Sequence, residues 1–534
     1  MVFSSLTFLT VFLPTVFGLY LALPWAKAKN FLLVVASLFF YAYGEPVYVL
    51  LMLAVTVCNW LFGRLLVVTA ASRGVAGTAA TAADAVAGTA TAVAARAAVP
   101  GSSVATSDRP VAFQAFKKRR WLIVAALVVN LGMLVVFKYT GWLVANVQAI
   151  SGIHLPFSDP ALPLGISFYV FHSISYLVDV YRGEVMAQKS LPRLMLYISF
   201  FPQLIAGPII KYHDIADQLA QRRLSLEGVA SGLRRLAVGL GKKVLIANPL
   251  GLVVDAIYSA PGNEINMPLA WLAAICYLGQ IYFDFSGYSD MAIGMARMFG
   301  FKFKENFNYP YISTSVQEFW RRWHISLSTW FKEYLYIPLG GNRKGMPRAV
   351  LNRLIVFGLC GLWHGAAWTF LVWGLLHGLF LLLEQYLPIR KLPKALGVVY
   401  TLLVVTLTFV LFRSESFAQA MLMVGQMFNG WHFEPITMAR LAWLADPHLI
   451  FVLAVAVIAA LPLVPWIRRR LGLAADGVRR GTGSRLGQRP VPCLPPCVQR
   501  ILCAGSYAGA FCLFGLALLA LSSGGYNPFI YFRF

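Results

Sequence analysis

Residues 354–386 read LIVFGLCGLWHGAAWTFLVWGLLHGLFLLLEQY, and this stretch decides the fold class. An α-helix needs about 20 consecutive apolar residues to cross the ~30 Å hydrocarbon core of a bilayer, and the stretch is longer than that. Gly358, Gly361 and Gly365 interrupt it. Broken helices at membrane depth persist only where they are buried in protein or line a cavity, so the stretch predicts membrane-spanning helices around an interior site.

Comparable apolar segments recur along the chain. They predict an all-α polytopic membrane protein with about 10–12 transmembrane helices, some of them broken or re-entrant. The 534 residues are 59% hydrophobic and 12% charged, with a mean hydropathy of +0.69, whereas soluble proteins average about 25% charged residues. Soluble, disordered and disulfide-rich secreted proteins and β-barrels are therefore excluded. The segments lie at roughly 4–24, 31–43, 47–63, 121–141, 161–180, 194–210, 236–258, 268–285, 354–386, 396–412, 448–466 and 500–522.

The excess of 45 Lys and Arg over 21 Asp and Glu gives a formal charge of +24. In a membrane protein this excess indicates orientation, because cytoplasmic loops collect Lys and Arg. The basic stretches 117–120 and 468–470 are expected on the cytoplasmic side, and the connections 151–163 and 259–268, which contain neither Lys nor Arg, on the outer side. No basic domain stands apart from the apolar segments, so membrane lipid is an expected partner and nucleic acid is not.

We interpret residues 1–534 as a single transmembrane domain with two compositional exceptions. Residues 70–99 are rich in Ala, with Thr, Val and Gly and no aromatic residue, so we interpret 70–110 as an inserted cytoplasmic low-complexity linker. Residues 467–499 form an Arg-rich loop. Such a loop fits the cytoplasmic side near anionic lipid, and a partner-binding site is the alternative.

The sequence lacks the nucleotide-binding, serine-hydrolase, zinc-protease and dinucleotide motifs. Its seven Cys are scattered, and Cys493, Cys497 and Cys503 have no His nearby, so neither a metal site nor a disulfide framework is predicted. Polar residues concentrate instead between 280 and 378, interleaved with aromatic residues. Ionisable groups are costly near a bilayer unless they face the protein interior.

Within this region a helix is predicted from Val316 through Trp330, because Ser315 and Glu318 form an S-x-x-E capping pattern. The helical spacing directs His324 into packing against neighbouring elements. From spacing alone, His324 is either a buried histidine satisfied by nearby backbone or part of a polar site.

His364 lies between Gly361 and Gly365, which let other backbone or a ligand approach closely and favour an end to the helix. Burial in an apolar stretch penalises the imidazolium ion and keeps the ring neutral, as a general base requires. A purely structural role is the alternative. His377 is about 220° around an ideal helix from His364 and is expected to pack elsewhere.

Residues 321–353 contain seven basic residues and one acid. A cationic loop at the cytoplasmic mouth of a cavity would attract a phosphorylated donor. The preference of cytoplasmic loops for Lys and Arg explains the same residues without a ligand. The donor-binding candidates are Arg321, Arg322, Arg343, Lys344 and Arg348.

At these residues the sequence resembles the membrane-bound O-acyltransferases, specifically their bacterial branch of alginate O-acetylation proteins. The matching stretches are FHSISYLVDVYRG (171–183), FFPQLIAGPI (200–209), FDFSGYSDMAIGMARMFGF (283–301), NFNYPYISTSVQEFWRRWHISLSTWFKEYLYIPLGGNR (306–343), GLWHGAAWTFLVWGLLHG (361–378) and NPFIYFRF (527–534). The Ala-rich and Arg-rich regions match no family feature.

The resemblance implies a ring of helices around a central tunnel, with His364 catalytic and His324 along the same tunnel. It implies transfer of an acyl group from a thioester donor to a hydroxyl, in the bacterial inner membrane, with periplasmic acetyltransferase partner proteins. Acetyl-CoA is the expected donor, no cofactor is expected to stay bound, and an exported polysaccharide such as alginate is the expected acceptor. The alternatives are transfer of a D-alanyl group to a wall polymer and a transporter without chemistry. We also expect both histidines to line one cavity, surrounded by residues 283–343 and 361–378.

Overall fold

The computed structural model describes residues 2–71, 109–470 and 496–530, which are largely helical and contain no β-strand. The helices, in chain order, are α1 (Leu13–Ala22), α2 (Ala26–Ala42), α3 (Tyr48–Ala71), α4 (Arg109–Leu134), α5 (Thr140–Ser151), α6 (Ile166–Arg182), α7 (Leu191–Ser199), α8 (Phe201–Leu204), α9 (Tyr212–Ala220), α10 (Leu226–Gly241), α11 (Asn248–Tyr258), α12 (Met267–Met298), α13 (Val316–Arg322), α14 (Ile325–Phe331), α15 (Met346–His364), α16 (Trp368–Tyr386), α17 (Lys394–Arg413), α18 (Phe417–Asn429), α19 (Pro435–Leu444), α20 (Pro447–Ala460), α21 (Leu463–Arg470) and α22 (Pro496–Ser522).

Seven helical stretches in the described part of the chain are long and apolar enough to cross a membrane, and α19 with α20, bent by 60°, would make an eighth. Several of the predicted 10–12 segments are instead shorter or broken helices. The segment 194–210, for example, is interrupted after α7 and again after α8. The prediction of an all-α polytopic membrane protein is confirmed. The seven stretches are Tyr48–Val67, Arg119–Ser151, Leu226–Tyr258, Met267–Met298, Trp368–Tyr386, Lys394–Arg413 and Arg500–Ser522.

The chain forms two compact units. The larger unit comprises Met1–Ala22, Ile205–Ile210 and Arg222–Phe534, and the smaller unit comprises Leu23–Leu204 and Lys211–Gln221. In the smaller unit α6 is buried along most of its length and packs against α3 and α4.

Glycines bring the two long helices of the larger unit, α10 and α12, into close contact. A Cβ atom on Gly239 would lie 2.6 Å from the carbonyl oxygen of Gly287, and one on Gly232 would lie 2.6 Å from the carbonyl oxygen of Gly294. Small residues at such crossings let helix backbones approach in a membrane, where association depends on close packing. The polar residues of α12 are therefore held deep inside the protein.

The stretch 354–386 is divided between α15 and α16, and the break follows His364 as predicted. The two helices pack together through glycines. A Cβ atom on Gly361 would lie 2.2 Å from the carbonyl oxygen of Phe370, and one on Gly374 would lie 2.2 Å from that of Phe357. The prediction that glycines beside His364 admit other backbone is confirmed.

Most residues of the Ala-rich region 70–110 and of the Arg-rich region 467–499 lie outside the described part of the chain. Of the predicted linker 70–110, residues 70–71 end α3 and residues 109–110 begin α4. Of the Arg-rich region 467–499, residues 467–470 end α21 and residues 496–499 begin α22.

Candidate active site

The helix predicted from Val316 through Trp330 is broken at His324, so the prediction of one continuous helix was wrong. α13 ends at Arg322 and α14 begins at Ile325. His324 lies between them with φ of 43°, in the left-handed region that residues other than glycine rarely adopt. The predicted start of the helix is correct, because the Ser315 hydroxyl accepts a hydrogen bond from the backbone N–H of Glu318 at 3.1 Å.

Asn306 explains why this break is stable. Its backbone carbonyl accepts from the N–H of Ile325 at 2.9 Å. Its side-chain oxygen accepts from the N–H and the hydroxyl of Ser326, at 3.1 and 2.8 Å. Asn306 thus supplies the acceptors that the first turn of α14 requires. Sequence reasoning missed this residue, because no local pattern pairs it with a helix that begins nineteen residues later.

The same side chain orients the imidazole of His324. The Oδ1 atom of Asn306 lies 3.2 Å from Nδ1 of His324, and its orientation is fixed by the N–H of Ser326, which needs an acceptor. Nδ1 therefore carries the proton, and Nε2 is left as the hydrogen-bond acceptor of the ring. The His324 side chain is 1% exposed, and Phe285 packs edge-on against it at 4.6 Å between ring centroids.

His364 ends α15 inside a cage of aromatic rings. Its ring centroid lies 4.9 Å from Trp363, 5.2 Å from Trp373 and 5.3 Å from Phe412. It lines a cavity of about 20 Å³, which we call the histidine cavity and which can hold about one water molecule. The lining residues are Ile281, Phe285, Trp323, His364, Trp373, Phe409, Phe412 and Ile530.

The structure brings His324 and His364 into one aromatic cluster, although only His364 lines the histidine cavity. His324 lies behind Phe285, which does line it. Trp363 packs between the two histidines, with its ring 6.3 Å from His324 and 4.9 Å from His364. The expectation that both histidines line one cavity was therefore wrong, because His364 lines the histidine cavity and His324 does not.

His377 does not line the histidine cavity, in agreement with the expectation that it packs elsewhere than His364, although the two residues lie on separate helices and share Trp373 as a neighbour. The ring of Trp373 lies 5.2 Å from His364 and 5.0 Å from His377. Trp320 donates to Nδ1 of His377 at 3.3 Å, and Nε2 lies 3.1 Å from the hydroxyl of Thr408. Both nitrogens are occupied, so His377 fixes the tryptophans and has no nitrogen available as a base.

A second cavity of about 450 Å³, here the cationic cavity, lies along α13 to α15. It contains three basic side chains, Arg321, Lys332 and Arg353. Cys360 lines it one helical turn before His364 on α15, and the ring of Trp320 lies 5.9 Å from that of Trp373. The lining residues are Gln317, Trp320, Arg321, Leu327, Ser328, Phe331, Lys332, Tyr336, Asn342, Arg353, Val356, Phe357, Cys360 and Leu381.

Only Arg321 of the five donor-binding candidates lines the cationic cavity. Arg322 pairs with Glu318 at 2.8 Å. Although burial opposes it, hydrogen bonds from Thr314 and Arg322 hold the pKa of Glu318 below its usual value, so this pair is ionised. Arg343, Lys344 and Arg348 are exposed and lie outside the lining. Sequence reasoning counted Lys332 and Arg353 among the basic residues without selecting them, because spacing in a loop does not show which side chains face a cavity.

A third cavity of about 960 Å³, here the polar cavity, shares Phe412 and Ile530 with the histidine cavity. Hydrogen-bonding and charged groups line it, among them the pair formed by Arg413 and Asp255 at 2.9 Å. Tyr258 and Ser259 place part of its wall beside the connection 259–268, which the charge pattern assigns to the outer side. The remaining lining residues are Leu252, Ala256, Tyr277, Gln280, Ala367, Thr369, Phe370, Ser414, Glu415, Gln419 and Tyr526.

The described residues contain one group with the atoms of a metal site, formed by Asp179, Glu184 and His213 in the smaller unit. Nδ1 of His213 lies 3.0 Å from Asp179 and 3.4 Å from Glu184, and Arg182 lies 3.7 Å from Glu184. A hydrogen bond with Asp179 raises the pKa of His213 despite partial burial. We interpret the group as an ion-pair cluster, because a protonated histidine and an adjacent arginine satisfy its carboxylates.

The described residues thus form a multi-pass helical protein in which a caged histidine lies near a cationic cavity and a polar cavity. The chain belongs to the membrane-bound O-acyltransferase family, whose sequence profile matches residues 180–412. It is therefore an O-acyltransferase.

Three of the proteins to which the chain is similar illustrate the range of its relatives. It is 38% identical to a probable alginate O-acetylase of Azotobacter vinelandii over the full length of both chains. It is 34% identical to a peptidoglycan O-acetyltransferase of Helicobacter pylori, over 79% of this chain and 78% of the relative. It is 28% identical to a teichoic acid D-alanyltransferase of Bacillus subtilis, over 48% of this chain and 69% of the relative.

Proposed function

We propose that the protein transfers an acetyl group from acetyl-CoA to a hydroxyl of an exported polysaccharide such as alginate, in the bacterial inner membrane. The full-length similarity to a probable alginate O-acetylase supports the acetyl group and the acceptor. The position of His364 carries the mechanism. It lies in the histidine cavity, which shares two lining residues with the polar cavity, and Cys360, one helical turn before His364, lines the cationic cavity.

The cationic cavity suits the donor. Coenzyme A carries several phosphate charges, and moving them through hydrocarbon would cost far more free energy than an acyl transfer releases. Arg321, Lys332 and Arg353 would attract these phosphates, while the apolar residues Phe357 and Cys360 would contact the thioester arm. The nucleotide thus stays on the cytoplasmic side, and only the acyl arm extends inward.

The polar cavity suits the acceptor. Its hydrogen-bonding groups would bind sugar hydroxyls arriving from the outer side, and periplasmic acetyltransferase partner proteins would complete delivery to the polymer. His364 takes the proton of the attacking hydroxyl as its oxygen forms the new bond to the thioester carbonyl carbon. The carbon–sulfur bond then breaks, the thiolate of coenzyme A takes up a proton, and an acetyl ester remains.

Transfer of a D-alanyl group is the second candidate. The match to a teichoic acid D-alanyltransferase supports it, although that match covers 48% of this chain. The acetyl group is favoured because the relatives that match most of the chain are named for O-acetyl chemistry.

A reconstituted system tests the proposal. Purified protein in lipid vesicles is given acetyl-CoA labelled in the acetyl group, and release of the coenzyme A thiol is followed with and without an alginate oligosaccharide. We expect thiol release that depends on His364 and labelled ester on the oligosaccharide, or on a periplasmic partner protein supplied with it. Thiol release that is equal in the wild type and His364→Ala would contradict the proposal. Release only from a D-alanyl thioester would favour the second candidate.

A further inference from the structure

The last described residues of the chain, 526–530, are attached firmly to the larger unit. The hydroxyl of Tyr526 donates to Asp255 at 2.5 Å. The side chain of Asn527 donates to the backbone carbonyl of Ser4 at 3.0 Å. The ring of Phe529 stacks on Tyr288 at 4.6 Å between centroids. A terminal segment usually needs such contacts to be ordered, and here they lead to the cavity that contains His364.

A buried ion pair provides the innermost attachment. Nζ of Lys243 lies 2.8 Å from Oδ1 of Asp284, and the two side chains are 4% and 2% exposed. Both members of the pair also make a hydrogen bond to the terminal segment. Lys243 donates to the backbone carbonyl of Pro528, and Asp284 accepts from the N–H of Ile530 at 2.8 Å. A buried ion pair requires such additional hydrogen bonds to offset its desolvation.

The residue held by this pair separates two cavities. Ile530 is 4% exposed and lines both the histidine cavity and the polar cavity, as does Phe412. Phe412 is part of the continuous helix α17, whereas Ile530 follows the non-helical residues 525–529, which the contacts above attach to the larger unit. The Lys243–Asp284 pair therefore sets the position of one wall of the cavity that contains His364.

We propose that Lys243 and Asp284 are positioning residues that hold Ile530 in the wall between the polar cavity and His364, as a barrier that narrows the passage taken by the acceptor hydroxyl and limits the entry of free water. The proposal rests on the acyl transfer proposed above. Without the barrier, water from the polar cavity reaches the thioester, its oxygen attacks the carbonyl carbon, and the carbon–sulfur bond breaks. Acetate and free coenzyme A thiol are the products, and His364 takes the proton from water as it would from the acceptor. The barrier thus favours transfer over hydrolysis.

The test measures thiol release from acetyl-CoA without an acceptor, together with transfer when an acceptor is present. Replacing the whole pair (Lys243→Met with Asp284→Leu) removes both attachments to the terminal segment without leaving an unpaired buried charge, which would itself be strongly destabilising. We expect a several-fold rise in the ratio of hydrolysis to transfer, and loss of the excess hydrolysis when His364→Ala is added. An unchanged ratio overturns the proposal, as does excess hydrolysis that persists without His364.

A neighbouring ion pair offers a matched control. Lys242 is adjacent to Lys243 in the sequence, and Asp290 lies on α12, as Asp284 does. The two charged groups are 2.7 Å apart, and Asp290 also accepts from Arg235 instead of the terminal segment. Replacing them (Lys242→Met with Asp290→Leu) should leave the ratio at the wild-type value. A rise equal to that of the Lys243–Asp284 variant would show a general effect of lost ion pairs and overturn the proposal.

A second pair of variants avoids changes in charge. Ile530→Ala shortens the barrier, and Ile530→Leu keeps its volume. We expect increased hydrolysis for Ile530→Ala and nearly wild-type behaviour for Ile530→Leu, with equal protein in the membrane. Equal ratios in these two variants overturn the proposal even if the charge variants fail to accumulate. Wild-type thiol release that does not depend on His364 would instead remove the proposed function itself.

Discussion

His364 in the larger unit and His213 in the smaller unit have opposite surroundings. Three aromatic rings lie within 5.3 Å of the His364 ring, between centroids. Carboxylate oxygens surround His213, with those of Asp179 and Glu184 at 3.0 and 3.4 Å from its Nδ1 atom. Rings exclude water and disfavour the imidazolium ion, whereas carboxylates stabilise it.

The difference shows how surroundings assign roles to the same residue type. A neutral imidazole can accept a proton, so His364 is suited to act as a base. His213 lies among carboxylates that favour its protonated form, so it is suited to hold Asp179 to α9 as a cation. Both histidines lie in stretches that resemble the family or flank them, and sequence alone does not separate these roles.

Replacing each histidine in turn gives the largest expected difference. His364→Ala should reduce acetylation of the polymer by ~10²–10⁴-fold, the usual contribution of a general base, while the protein still accumulates in the membrane. His213→Ala should lower acetylation only as far as it lowers protein amount. Acetyl content of the polymer and membrane protein levels measure the two effects. A specific loss in His213→Ala as large as that in His364→Ala would reverse the comparison.

The aromatic cage also depends on the contact between α15 and α16. In Gly361→Ala the added Cβ would lie 2.2 Å from the backbone carbonyl of Phe370, which cannot move independently of its helix. We expect destabilisation by about 1–3 kcal/mol or more, with a matching loss of acetylation. Gly358→Ala is the control on the same helix, because its Cβ would lie 3.4 Å from the flexible side chain of Leu375. Thermal stability of the two purified variants in detergent decides the matter, and equal stability would contradict the assigned contact.

We expect charged side chains of the larger unit to affect substrate binding, and those around His213 in the smaller unit to affect the stability of the fold. Lys332→Glu reverses a charge that lines the cationic cavity, and Arg348→Glu reverses an exposed charge outside it. We expect Lys332→Glu to raise KM for acetyl-CoA several-fold with little change in kcat, and Arg348→Glu to have a smaller effect. Raised salt should reduce the difference, because exposed charges are screened within ~10 Å at 0.1 M. Equal effects of the two variants would restore the interpretation based on the whole basic loop.

The sequence predicted the fold class and the break after His364, because both depend on local signals. Span length and composition indicate membrane helices, and the glycines beside His364 indicate a close approach. The break at His324 could not be predicted in the same way. Its helices have an intact capping pattern and no Pro or Gly between them, and the acceptors that stabilise the break come from Asn306 in a preceding segment.

The residues that line the cavities were harder to predict from the sequence than the position of His364. Whether Arg321 or Arg348 faces a cavity depends on how a loop packs, which charge and spacing do not specify. The same reason hides Glu384, whose carboxylate accepts from the N–H groups of Val316 and Gln317 at the start of α13, at 2.5 and 3.0 Å. These contacts join residues far apart in the chain and carry no local pattern.

The smallest expected effect concerns the pH dependence of stability at His213. Its pKa is raised in the folded protein by Asp179, with Glu184 and Asp214 also close by and Lys211 opposing them. A raised folded-state pKa contributes stability that is complete below the unfolded value of about 6.5 and is lost as pH rises through the folded value. Because the side chain is 27% exposed, we expect no more than about 1 kcal/mol. The unfolding midpoint of the wild type should therefore fall between pH 6 and pH 9 relative to that of His213→Gln, which cannot be protonated. Parallel curves for the two proteins would show that the carboxylates do not hold a cation, and the contrast with His364 would then rest on the aromatic cage alone.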